Sequence, residues 1–139
     1  MNQLENAIVL ATSTHYGQVD KGGLPYILHP LRVMMQMDTE DERIVAVLHD
    51  VIEDSNVTIK YLAKIGLSSE VCEAIEALTR RENESYMQFI ERCKQNPLAR
   101  KVKTQDIYDN LSLSRIVEPT KEDYDRQKKY NKALRLLLG

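Results

Sequence analysis

Apolar side chains recur at three- and four-residue steps along most of this chain, and nowhere do they alternate strictly with polar ones. Leu4, Ala7, Ile8, Ala11 and His15 form one such stripe, the pattern of a helix with a single buried face. Gly17 and the pair Gly22 and Gly23 break that helix into a loop running to Pro25. Pro30 suits the first turn of a second helix, from 31 to about 37. Thr39 with Glu42 three residues on is a capping box that opens a third, through Ile44, Val47 and Leu48. Thr58 caps a short helix ending near Gly66, and Ser68 or Ser69 caps another through Val71, Ile75 and Leu78. Further helices are expected over 84–94, 97–110 and 121–138. With no internal repeat, linker or charge block, the pattern predicts one compact all-α domain over residues 1–139, a bundle of about seven or eight helices.

A chain of 139 residues buries roughly 68–70% of its unfolded surface, so it builds a core without staples. Nineteen Lys and Arg against 21 Asp and Glu give no basic excess of the kind a duplex-DNA or anionic-membrane binder carries. Cys72 and Cys93 stand apart with no CxxC, and read as small buried side chains in a reducing compartment. The N-terminus lacks a basic region before its short apolar run, so it is not a signal peptide. The longest unbroken apolar stretch, 44–48, falls far short of the ~18 residues of a membrane span. A soluble, cytoplasmic protein is expected.

Polar residues interrupt the apolar pattern in three places. The first is 44–54, IVAVLHDVIED. If the helix continues through it, His49 and Glu53 share one face, as do Asp50 and Asp54. His49 and Asp50 are then about 100° apart around the axis, which suits two ligands on one metal ion. Carboxylates beside a buried stripe need a cationic partner, because burying them bare is costly. The rival reading is that Val45, Leu48 and Ile52 face inward while the acids are solvated. The second place is His29 in PYILHP, either a ligand or a structural histidine at a helix start. The third is Lys103, Asp106 and Asn110, at i, i+3 and i+7 on one helix face, either a site or a solvated surface.

In order along the chain, His29, His49-Asp50 and Asp106 match the H…HD…D pattern of the HD superfamily of metal-dependent phosphohydrolases. The neighbouring blocks narrow this. HYGQ at 15–18, GLPYILHP at 23–30, LHDVIED at 48–54, and KTQD at 103–106 with Asn110 resemble the hydrolase domain of the Rel/Spo alarmone enzymes. The chain resembles a stand-alone small alarmone hydrolase, since no synthetase or regulatory domain follows before Gly139.

The resemblance implies an HD fold in which His29, His49, Asp50 and Asp106 bind one Mn²⁺, another divalent ion being the alternative. It implies Glu53 and Asp54 as the catalytic acidic pair, and Lys21, Lys103 and Asn110 as contacts to a nucleotide. The implied reaction is hydrolysis of the 3′-pyrophosphate of guanosine tetra- or pentaphosphate, giving GDP or GTP and pyrophosphate. The chain departs from the family at Asp20, where an Arg is common, at Ile107, where a basic residue usually follows the metal Asp, and at Ser55, where Thr is usual. The missing basic groups keep open an HD phosphohydrolase acting on another nucleotide, such as NADPH or a nucleoside monophosphate. A nucleotide sensor without catalysis is the third reading.

Overall fold

In the computed structural model, which describes residues 2–112, 116 and 118–139, nine helices are found among the described residues. They are α1 (Gln3–His15), α2 (Leu28–Met35), α3 (Glu40–Leu48), α4 (Val51–Asp54), α5 (Ile59–Lys64), α6 (Ser69–Ala77), α7 (Tyr86–Lys94), α8 (Pro97–Leu111) and α9 (Lys121–Leu138). The only β pairing among the described residues is an isolated bridge between Val19 and Pro25. The all-α expectation therefore holds. No helix of the structure is long and apolar enough to cross a membrane.

The helix starts follow local chemistry. Thr39 and Glu42 form the expected capping box of α3, and Thr58 and Ser68 cap α5 and α6. The seventh helix begins two residues later than expected, because Ser85 and Gln88 form a capping box of their own. The second helix differs more. It starts at Leu28 and ends at Met35, so Pro30 is its third residue. That is still the first turn, where no proline N–H is required.

The core is organised around α3, which packs against α1, α2, α6 and α8. Ile44, Val45, Ala46, Val47 and Leu48 are all buried. A helical turn apolar around its whole circumference, as the C-terminal half of α3 is, belongs inside, and each large side chain there contributes about 1.5–3 kcal/mol by burial. Helices α7, α8 and α9 pack together beside it. Both cysteines are free and buried.

The third helix does not continue through the polar segment. It stops at Leu48, a turn holds His49 and Asp50, and α4 is a separate single turn. The cause lies in His49, whose backbone N–H reaches back three residues to the Ala46 carbonyl while its Nδ1–H donates to the same oxygen at 2.5 Å. With that carbonyl taken twice, the regular four-residue ladder ends.

Candidate metal centre and its surroundings

Five polar or charged residues are buried among the described residues: His15, His29, His49, Asp106 and Asp123. Three of them meet at one point. His29 comes from the first turn of α2, His49 from the α3–α4 turn and Asp106 from the middle of α8. His29 Nε2 lies 2.7 Å from Asp106 Oδ1, and His49 Nε2 lies 3.2 Å from the same oxygen. Asp50 Oδ2 is 3.1 Å from His49 Nε2. Donor atoms of His29, His49 and Asp50 all fall within 4.8 Å of one another.

The far nitrogen of each imidazole is occupied. His29 Nδ1 pairs with Asp109 Oδ2 at 2.6 Å, and His49 Nδ1 with the Ala46 carbonyl. Those bonds put the proton on Nδ1 and aim both Nε2 atoms at the shared centre, the arrangement that orients metal-binding histidines. Burial alone would lower the pKa of both rings. The hydrogen bonds to Asp106 and Asp109 outweigh it at His29, and the charges of Asp50 and Asp106 outweigh it at His49. Burial pushes Asp106 the other way, yet Lys103 and His49 hold it well below the usual carboxylate range. Two imidazoles and two carboxylates without thiolate fit Mn²⁺, Fe²⁺ or Zn²⁺.

Neighbouring side chains also hold these carboxylates. Tyr26 Oη–H donates to Asp50 Oδ2 at 2.5 Å. Lys103 donates to Asp106 Oδ2 at 2.7 Å, with its ammonium 5.0 Å from the centre of the Phe89 ring. Asn110 Nδ2 donates to Asp106 Oδ1 at 3.3 Å. Lys103 and Asn110, expected to touch a nucleotide, thus both contact Asp106, and Asn110 also lines the adjoining cavity.

Glu53 and Asp54 stand on α4, one turn after the two ligand positions. They face different supports. Glu53 Oε1 accepts the Arg80 backbone N–H at 2.7 Å, and Asp54 Oδ2 lies 3.5 Å from Nδ1 of the buried His15. Ser55 closes this turn, its hydroxyl donating to the Val51 carbonyl and accepting the Val57 N–H. Burial and then the Asp50 charge raise the pKa of both Glu53 and Asp54, although the Arg80 N–H opposes this at Glu53.

Beside the centre opens a cavity of about 260 Å³, whose lining includes Lys21, Tyr26, Arg32, Asn110, Arg126 and Tyr130. Lys21 Nζ pairs with Asp123 Oδ1 at 3.3 Å, and Arg126 pairs with the same carboxylate. Arg32 makes two hydrogen bonds to Asp109, at 2.8 and 3.0 Å. The partner of Lys21 is thus Asp123 and not its neighbour Asp20. Asp20 Oδ1 instead accepts the N–H groups of Gly22 and Leu24 at 2.8 and 3.0 Å. It ties the turn in which Gly23 takes a φ of 84°, a conformation glycine adopts without strain.

Sequence reasoning assigned no role to Tyr26, Arg32, Asp109, Arg126 or Tyr130. Asp109 had a signal: it lies three residues after Asp106, on the same face of α8. Arg126 and Tyr130 had none, because only the packing of α9 against α8 brings them to the cavity.

No model of a known protein family matches the chain. It is 35% identical over 79 residues to a guanosine-3′,5′-bis(diphosphate) 3′-pyrophosphohydrolase of Borreliella burgdorferi, covering 53% of this chain and 12% of that protein. A protein of the same name from Vibrio cholerae is 38% identical over 82 residues, 55% of this chain and 11% of that one. The one from Aquifex aeolicus is 28% identical over 121 residues, 78% and 17%. The chain therefore spans less than a fifth of the length of these relatives. A solved structure described as a metazoan ortholog of SpoT that hydrolyzes ppGpp superposes with a TM-score of 0.81 at 23% identity, over 99% of this chain and 86% of that one.

Proposed function

We propose that this chain, Rel/Spo-hydrolase-like in sequence and in fold, hydrolyses the 3′-pyrophosphate of guanosine tetra- or pentaphosphate. The observation that carries this reading is the convergence of His29, His49 and Asp106 from three separate helical segments, with Asp50 beside them. These four residues would hold one divalent ion, and we assign Mn²⁺. When bound, the ion supplies Lewis-acid polarisation of water and offsets the charge that builds on phosphorus.

The protein side chains do the rest. Lys103 holds the outer oxygen of Asp106, so that its Oδ1 stays aimed at the centre, and Tyr26 steadies Asp50 through the Oδ2 that faces His49. Glu53 and Asp54 orient the attacking water and take its proton. Their raised pKa values support such a role, since a base near the working pH transfers protons best. The water oxygen bonds to the phosphorus carried on the 3′ oxygen, the bond to that oxygen breaks, and a proton restores the 3′ hydroxyl. GDP or GTP and pyrophosphate leave. Lys21, Asn110 and Arg126 line the cavity that receives the nucleotide. Two buried free thiols support a cytoplasmic setting.

The test is turnover by the purified chain, with Mn²⁺ and with a chelator, on guanosine tetraphosphate, NADPH and nucleoside monophosphates. Mn²⁺-dependent turnover of guanosine tetraphosphate above the others supports the reading. Turnover confined to another nucleotide keeps the metal chemistry and discards the alarmone.

A further inference from the structure

One buried titratable side chain takes no part in the proposed chemistry. His15, the last residue of α1, is buried, and among the described residues it makes no hydrogen bond or ion pair to any of the four ligand positions. The chain folds back on it at once. Gly17 turns with a φ of 85°, the Gln18 N–H donates to the His15 carbonyl at 3.0 Å, and Gln18 Oε1 lies 3.1 Å from His15 Nδ1. The Tyr26 ring meets the imidazole edge-on, with 5.0 Å between ring centres.

His15 Nδ1 faces two acceptors, Gln18 Oε1 at 3.1 Å and Asp54 Oδ2 at 3.5 Å. His15 Nε2 is buried and has no hydrogen-bond partner among the described residues. The proton therefore belongs on Nδ1. On Nε2 it would be a buried donor with nothing to accept it, and the Nδ1 lone pair would face a carboxylate. An apolar ring would fill the same space without an unmet nitrogen, so packing alone does not account for a histidine here.

Asp54 needs a fixed donor of this kind. It stands on the single turn α4, its side chain is 35% exposed, and His15 is the only hydrogen-bond or ion-pair partner of its carboxylate among the described residues. Glu53, by contrast, is held by the Arg80 backbone N–H. At 3.5 Å the contact is longer than a settled hydrogen bond, and catalytic contacts of this length tighten when substrate fills the site.

We propose that His15 is a positioning residue: its Nδ1–H, shared with Gln18, holds the Asp54 carboxylate in the orientation that receives the proton of the attacking water. The role rests on the hydrolase reading, in which Asp54 meets that water. His15 itself neither touches substrate nor exchanges a proton in the step.

Steady-state kinetics with Mn²⁺ and guanosine tetraphosphate compare the unmodified chain, His15→Phe, His15→Asn and Asp54→Asn. Phe keeps a ring against Tyr26 and removes the donor, whereas Asn keeps an N–H near the place of Nδ1. His15→Phe is expected to lose kcat roughly ten- to a hundredfold with KM within a factor of about two, the scale of a misplaced catalytic group. His15→Asn should recover most of that loss. Added to Asp54→Asn, His15→Phe should change kcat by less than about twofold, because the group it positions is already gone. An equal loss in both backgrounds overturns the proposal. Nitrogen NMR of the imidazoles, with diamagnetic Zn²⁺ in the buffer, reads the contact without turnover. The His15 signals, identified by their absence in His15→Asn, should show the proton on Nδ1, and the Nδ1 shift should move in Asp54→Asn. A proton on Nε2, or an Nδ1 shift that stays, also overturns it. A shift that moves in a chain with no turnover keeps the His15–Asp54 contact and loses the hydrolase. Turnover that a folded His15→Phe retains in full keeps the hydrolase and loses the positioning role.

Discussion

His29 Nε2 and Asp106 Oδ1 lie 2.7 Å apart across 77 positions of sequence. Both are buried, and each is held from behind, His29 by Asp109 and Asp106 by Lys103. A contact so long-range and so fully supported is a built site. It also makes Asp106 the hinge of two roles: its Oδ1 faces the imidazoles and its Oδ2 neutralises Lys103.

Removing that carboxylate should therefore cost both metal and stability. Asp106→Ala leaves the half-buried Lys103 without its partner, a loss of at most about 3–5 kcal/mol. His49→Ala removes a ligand without stranding a charge, so its stability loss should be smaller while its metal loss is as complete. Elemental analysis and urea denaturation of the two variants check this. Full metal content in either would remove that residue from the ligand set.

The α4 carboxylates should separate chemistry from binding. Glu53→Gln and Asp54→Asn keep shape and are expected to retain the metal. Each should lose turnover by roughly 10²–10⁴-fold, the scale of a positioned acid or base. Metal lost with either change would make that residue a ligand.

The capping residues were legible because their chemistry is local: Thr39 with Glu42, Thr58 and Ser68 all act within four residues of themselves. His29, His49, Asp50 and Asp106 were legible because polar groups stood out of apolar surroundings in an ordered pattern. The break after Leu48 was not legible. The bond from His49 Nδ1 to Ala46 is short in sequence, but what aims the ring is His29 and Asp106, 20 and 57 positions away (49 minus 29, 106 minus 49). The partner of Lys21 lies 102 positions on, and no periodicity connects a loop to the first turn of a distant helix. Asp20 looked like a misplaced charge because its bonds to Gly22 and Leu24 depend on a turn geometry.

Asp20 gives a prediction with two arms. Asp20→Asn keeps an Oδ1 acceptor for the turn and removes the charge at the cavity. At about 1 kcal/mol for unit charges 4 Å apart in water, KM for guanosine tetraphosphate should fall by at most about fivefold, and the effect should shrink at high salt. Asp20→Arg removes the acceptor, so the loop loses two hydrogen bonds and KM should not improve. Steady-state kinetics at two ionic strengths decide. A lower KM for Asp20→Arg than for Asp20→Asn would mean that the turn bonds are dispensable.

Tyr26→Phe should act through Asp50. The hydroxyl lost is the donor to Asp50 Oδ2, and loss of such a support typically lowers metal affinity roughly 10- to 100-fold. The variant should regain turnover when Mn²⁺ is raised. Competition with a metal indicator measures the shift, and unchanged affinity would make the contact incidental.

Acid stability should report the Glu84–Arg92 pair. The Arg92 hydrogen bond, against a smaller opposing effect of burial, takes the Glu84 pKa from 4.5 to about 2. A carboxyl lowered on folding stabilises the fold above its unfolded pKa and loses that contribution as pH falls through its folded one. The loss should fall between about pH 4.5 and 2. Glu84→Gln should be less stable than the parent at pH 7, and the gap should narrow by pH 2. Denaturation curves at the two pH values measure it, and a constant gap would assign the contribution elsewhere.

The central claim is one metal, held by His29, His49, Asp50 and Asp106, serving hydrolysis of a 3′-pyrophosphate. Its most direct test is Mn²⁺ titrated into the stripped chain in the presence of guanosine tetraphosphate, with pyrophosphate release followed at each addition. Release should be absent without metal, rise with occupancy and saturate when one ion is bound per chain, with GDP formed in equal amount. Full release from the stripped chain, or none from a chain carrying its ion, would contradict the account.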